Sequence, residues 1–171
     1  MTKILIIDDE IDIVNNISAI LSDENYEAYK ASNSDQAFDL ISMYKFDLII
    51  LDVWLDNSKL DGLEILKEIR KKEPLPIIVI SGHGNIEMAV QAIKDGANEF
   101  IEKPFTSERL VLSVNRSIEM SIIKNENINL KTKNIYNYEF IGDSSQIMKI
   151  KQLIRKVAPT SSRVMIYGES G

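Results

Sequence analysis

No cysteine occurs in the chain, so disulfides and thiolate-held metals are excluded and a cytoplasmic protein is expected. Histidine occurs once, as His83 between two glycines, where it reads as a loop residue rather than a catalyst or ligand. The single tryptophan, Trp54, reads as a packing or partner contact. No apolar run approaches the ~20 residues that a membrane span requires. The opening "MTKILIIDDE" turns acidic without a small-residue cleavage site, so no secretory signal is expected. A glycine-rich turn after the first strand, which a nucleotide-binding first domain would need, is missing too: "IDDEID" stands in its place.

What is present is ordinary for a globular protein, with 44% hydrophobic and 27% charged residues. The 171 residues suffice for one domain of common size with about 50 left over. Net charge is −6 but unevenly spread: residues 1–120 hold 12 Lys or Arg against 22 Asp or Glu, and residues 121–171 hold 8 against 4. An acidic first domain repels a phosphate backbone, and the basic remainder is diffuse, so no nucleic-acid binding by this chain is expected.

Residues 1–105 alternate between β-branched runs and helical periodicity. The runs are "KILII" (3–7), "YEAYKA" (26–31), "DLIIL" (47–51), "PIIVI" (76–80) and "NEFI" (98–101). Between them Ile13, Val14, Ile17, Ile20 and Leu21 recur at helical spacing. So do Ala37, Leu40, Ile41 and Tyr44, then Leu63, Leu66 and Ile69, then Met88, Ala89, Ala92 and Ile93. Ser34 is placed to cap the second helix, Pro74 and Pro76 to end the third, and Gly96 to follow the fourth. Five strands alternating with helices predict an α/β fold, a parallel sheet covered on both faces. A fifth helix is predicted from Ser107, passing residue 120 and then giving way to an Asn-rich linker, "KNENINLKTKNIYNY". Beyond it "SSQIMKIKQLIRKV" predicts an amphipathic helix closed by Pro159, and "RVMIY" a strand.

Ligands of an open parallel sheet bind outside the carboxyl ends of its strands. Those positions hold Asp8 and Asp9 after the first strand, Asp52 after the third, Ser81 after the fourth and Lys103 after the fifth. Two carboxylates ~4 Å apart repel by roughly 4 kcal/mol at an effective dielectric of 20, so the cluster calls for a counter-charge. A hard divalent ion such as Mg2+ suits an all-oxygen donor set. Asp52 would then be placed as a nucleophile toward a phosphoryl group, with Lys103 and Ser81 contacting its oxygens. Taken singly, an Asp after a strand is ordinarily a cap or turn residue, Lys103 a surface lysine and Ser81 a turn serine. The coincidence of the four strand ends carries the chemical reading.

"ILIIDDE", Asp52 after an apolar strand, "DGLEIL", "VISGHG" and "EFIEKPF" together resemble a bacterial response-regulator receiver domain over residues 1–120. The resemblance implies a doubly wound, flavodoxin-like sheet of order 2-1-3-4-5. It implies Asp52 as phosphoacceptor, and Asp8, Asp9, Asp52 and the backbone carbonyl of Trp54 as the Mg2+ site. Ser81 and Lys103 would bind the phosphoryl group, Ser81 and Phe100 would form the switch pair, and the bond between Lys103 and Pro104 would be cis. A sensor histidine kinase is the implied partner, and the fourth helix, fifth strand and fifth helix the implied dimerisation surface. Asp52 to Asp61 spans nine steps, longer than the family's usual loop and without its Met-Pro, and is similar to NtrX-type regulators of the NtrC family. "FIGDSSQIMKIKQLIRKVAPTSSRVMIYGESG" resembles the opening of the AAA+ domain of sigma-54-dependent activators, with Gly168 as the first glycine of a phosphate loop that is incomplete at Gly171.

The expected organisation is thus a receiver at 1–120, a helical linker at 121–137 and an incomplete AAA+ segment at 138–171. The expected function is that of a phosphoryl-accepting switch rather than an enzyme, with no ATP bound or hydrolysed by this chain. Two rivals stand beside it. One is a receiver-like interaction module that takes no phosphate. The other is a haloacid-dehalogenase-type phosphatase using Asp8 and Glu10, for which the acids after Lys103, Glu108 and Glu119, are poorly placed on a helix.

Overall fold

The computed structural model describes residues 2–72, 74–82, 86–136, 142–160, 163–165 and 167–168, with backbone alone at 125 and 127–136. His83 and Gly171 lie outside the described residues. The chain divides into two compact units, Met1–Ile128 and Asn129–Gly171.

In the first unit, strands β1 (Lys3–Ile7), β2 (Glu27–Ala31), β3 (Leu48–Asp52), β4 (Ile77–Ser81) and β5 (Glu99–Glu102) form one parallel sheet of order β2-β1-β3-β4-β5. Helices α1 (Ile11–Asp23), α2 (Ser34–Met43), α3 (Gly62–Arg70) and α4 (Ile86–Lys94) connect them, and α5 (Ser107–Tyr136) follows β5, its residues up to Ile128 belonging to this unit. Every residue of β3 and β4 is buried, which is why both read as unbroken β-branched runs instead of alternating ones. On one face Leu5, Ile49, Leu51 and Val79 pack with Ala37 of α2, Ile65 and Leu66 of α3 and Ala92 of α4. On the other, Ile4, Ile6, Ile50 and Ile78 pack with Val14 and Ile17 of α1 and Leu110 and Val114 of α5. The result is three layers with two cores.

Local chemistry sets the ends of the helices. The cap of α2 is Asn33, whose side chain accepts from the Gln36 amide at 3.0 Å; Ser34, expected to cap, is the first residue of the helix and is buried. At α3, Asp61 accepts from the Glu64 amide at 2.8 Å while Glu64 accepts from the Asp61 amide at 3.0 Å, a reciprocal capping box. Gly96 closes α4 at φ 105°, a left-handed conformation that glycine adopts without a Cβ penalty.

The fifth helix and the stretch expected as a helical linker at 121–137 are one helix, unbroken for 30 residues to Tyr136. The segment holds no Gly or Pro, and Asn costs a helix well under 1 kcal/mol per residue, so nothing there ends it. In the second unit α6 (Ser145–Val157) forms where expected, with Ser144 accepting from the Ile147 amide. "RVMIY" departs from expectation: residues 163–165 and 167 adopt no strand. A strand needs a neighbour to pair its backbone groups, and among the described residues of this unit there is no strand to pair with. Among the described residues no helix is long and apolar enough to cross a membrane.

Candidate functional site

The sheet order sets β1 directly against β3, so the residues at their carboxyl ends meet. Ile7 pairs with Leu51, which brings Asp8 beside Asp52, the last residue of β3. Lys103 follows β5, its amide donating to the Ser81 carbonyl at 2.8 Å, and its long side chain returns across the end of β4 to the acids. Asp8 is 1% exposed and Asp52 3% exposed, so the carboxylates are deeply desolvated.

Lys103 Nζ lies 2.8 Å from Asp8 Oδ2, 3.1 Å from Asp52 Oδ1 and 3.4 Å from Glu10 Oε1. Each of the three aspartates also accepts one backbone amide. Glu10 donates to Asp8 Oδ1 at 2.8 Å, Trp54 to Asp52 Oδ2 at 3.1 Å, and Asp56 to Asp9 Oδ2 at 3.1 Å. Among the described residues no hydrogen-bond donor is aligned on Asp52 Oδ1, so its contact with Lys103 is an ionic one.

One ammonium does not balance this set. Burial pushes the Asp52 carboxyl up to about 6 from an ordinary 3.8; Lys103 pulls it down and the charge of Asp8 pushes it up. Burial raises Asp8 as well, in spite of its bond to Lys103. For Lys103 burial pulls downward, but the hydrogen bond to Asp8 and the charges of Asp52 and Asp8 outweigh it and the ammonium is held above its usual range.

Asp8, Asp9 and Asp52 each offer an oxygen, all within 4.8 Å of one another. Three hard oxygen donors, one of them on a buried carboxylate with an unfilled hydrogen-bond position, fit a divalent cation of the Mg2+ type. A close approach of backbone shapes the same site. Gly62 donates its amide to the Val53 carbonyl at 2.9 Å, and a Cβ placed on it would stand 1.9 Å from the Asp52 carbonyl oxygen.

Residues 4–115 match the model of the response regulator receiver domain. The chain belongs to the response-regulator receiver family. It is 48% identical over its whole length to an NtrX-like response regulator of Rickettsia bellii, covering 36% of that protein. It is 45% identical over 98% of its length to the nitrogen assimilation regulatory protein NtrX of Azorhizobium caulinodans, covering 37% of it. The crystal structure of NtrX from Brucella abortus superposes with TM-score 0.75 at 44% identity, over 96% of this chain and 36% of that one. The chain therefore spans about a third of the length of these relatives.

Read as a receiver, the structure brings Asp8, Asp9, Asp52 and Lys103 together as expected, and the Lys103–Pro104 peptide is cis. The Ser81 hydroxyl is buried and turned to Met88 of α4, 3.9 Å from its sulfur. Phe100 is part of the core on the α2–α3–α4 face. It is the amide of Trp54, not its indole, that reaches Asp52, and the residue is half exposed. Gly168 belongs to the second unit. Glu10, expected here only as the acid of the phosphatase alternative, borders the site, and neither Asp56 nor Gly62 is marked by the sequence as part of it. The last two act through backbone, which leaves no side-chain signature, although the Asp-Gly pair at 61 and 62 is a usable sign of close approach.

Proposed function

We propose that the chain is the input part of a two-component regulator and that Asp52 accepts a phosphoryl group from a sensor histidine kinase. The observation that carries this reading is Asp52 itself, buried at the end of β3 with one oxygen pinned by the Trp54 amide and the other beside Lys103. With its pKa near 6 the carboxylate is ionised at neutral pH. An Asp52 oxygen bonds to phosphorus as the P–N bond of a phosphohistidine breaks, the electron pair leaving with the imidazole nitrogen. Lys103 then binds a phosphoryl oxygen, and the Ser81 hydroxyl turns from Met88 to another. Asp8, Asp9, Asp52 and the Trp54 carbonyl would hold Mg2+. When bound, the ion neutralises charge on the carboxylates and the incoming phosphoryl group.

Withdrawal of the Ser81 hydroxyl releases Met88 on α4, with Phe100 of β5 following, so the surface of α4, β5 and α5 is the output. A relative, the NtrC4 receiver at 39% identity and TM-score 0.66, was solved as a beryllofluoride-activated dimer. Ile86, Val90 and Ile93 of α4 are exposed here and support dimerisation of this chain through the surface of α4, β5 and α5. For the longer regulator, the reading is cytoplasmic control of sigma-54-dependent transcription.

The test is intact mass after incubation with a small-molecule phosphodonor, with and without Mg2+, on this chain and on Asp52→Asn. Gain of one phosphoryl group only with Mg2+ and only with Asp52 present is expected. A folded chain that gains none would instead be a phosphate-independent interaction module.

A further inference from the structure

The three aspartates differ in where their backbone donors come from. Asp8 and Asp52 each accept the amide two residues further along, from Glu10 and Trp54, so their orientation is fixed locally. Asp9 instead accepts the amide of Asp56, 47 residues away, in the loop between β3 and α3. That loop, residues 53–61, is the stretch longer than the receiver family's usual one, and several contacts hold it in place. Leu55 and Leu60 pack against the core. Asn57 adopts a left-handed conformation at φ 57°, which turns the chain between the amide that reaches Asp9 and the next anchor. That anchor is Ser58, whose hydroxyl accepts from the Ser34 amide at the start of α2 at 2.9 Å. Lys59 pairs with Asp35 on the same helix turn at 2.8 Å, an exposed contact of secondary weight.

We infer that the β3–α3 loop is a positioning device for Asp9, with Asn57 and Ser58 setting the affinity of the site for Mg2+ although neither touches the ion. The inference rests on the reading of Asp8, Asp9 and Asp52 as the Mg2+ site. Partners that orient a metal ligand typically change affinity by about 10- to 100-fold when removed. Free in solution, the loop would leave Asp9 to reorient on each binding event. Fastened to α2, it presents Asp9 in advance.

Trp54 is the only tryptophan in the chain and its amide bonds Asp52, so its fluorescence reports the site. Mg2+ would be titrated into the whole chain and into Asn57→Ala, Asn57→Gly and Ser58→Ala, followed by Trp54 fluorescence and in parallel by calorimetry. Asn57→Ala and Ser58→Ala are expected to weaken binding by about tenfold, the low end of that range. Asn57→Gly, which keeps the left-handed conformation at no steric cost, is expected to stay near the wild-type affinity. Wild-type affinity in both Asn57→Ala and Ser58→Ala would overturn the inference and leave the Mg2+ site standing. So would an Asn57→Gly variant as weak as Asn57→Ala. Absence of any Mg2+ binding by the wild-type chain in both measurements would overturn the site and the inference together.

Discussion

Between pH 3.8 and about 6 the folded chain keeps a proton on Asp52 that the unfolded chain has released. The stability linked to this group is therefore fully present below 3.8 and is lost as pH rises to about 6, by roughly 3 kcal/mol at 1.36 kcal/mol per unit. Asp8 is shifted in the same direction and adds to the loss. Asp52→Asn removes the penalty. The metal-free variant is expected to be more stable than the wild type above about pH 6, by up to about 3 kcal/mol, with the difference closing toward pH 4. Urea denaturation across that range measures it, and an advantage that does not grow with pH would refute the assignment of cause. Lys103→Met tests the opposing charge. Removing one partner of a buried ion pair typically costs about 3–5 kcal/mol, and here two carboxylates lose their cation. The loss is expected to be largest above about pH 6 and to shrink at lower pH, where the carboxyls protonate. The same denaturation series reads it.

At the scale of elements, the site depends on how closely α3 approaches the end of β3. A Cβ on Gly62 would overlap the Asp52 carbonyl oxygen at 1.9 Å, a contact with backbone that no side-chain rotation relieves. Gly62→Ala is therefore expected to destabilise the first unit by about 1–3 kcal/mol or more and to lower phosphodonor labelling of Asp52, read by thermal melting and intact mass. Wild-type melting and labelling in this variant would show that α3 can move away freely. The strands were legible because burial on both faces writes them as "DLIIL" and "PIIVI". The acids at their ends were legible because strand ends are where open parallel sheets bind ligands. Three features were not. Asn33 and Ser34 are adjacent residues of nearly equal capping preference, so geometry alone decides between them. The unbroken join of the fifth helix to the expected helical linker falls where the apolar stripe thins while no breaker appears, so periodicity does not mark the continuity. The amides of Asp56 and Glu10 serve the site through backbone, where the side chain carries no message.

Across the first unit, the end of β4 touches the helix that carries exposed apolar residues through Ser81 and Met88. Ile86 is 84% exposed, Val90 45% and Ile93 48% on α4, and Leu112 of α5 is 61% exposed. Fully burying an aliphatic side chain stabilises by ~1.5–3 kcal/mol, so partly exposed ones contribute on the order of 1 kcal/mol each. Paired across a two-fold axis, the three α4 residues from each copy give roughly 6 kcal/mol, within the ~4–15 kcal/mol that association costs in lost freedom. The unmodified chain is thus expected to dimerise weakly, and a shift of a few kcal/mol in the α4 surface is enough to decide its state. Sedimentation velocity should find a larger dimer fraction after phosphodonor treatment with Mg2+ than before it. Ile93→Glu should abolish that increase while leaving labelling of Asp52 intact, because a carboxylate buried at the contact has no partner there. A phosphorylated chain that stays monomeric at every concentration tested would separate the chemistry at Asp52 from this surface and direct the output of the switch elsewhere.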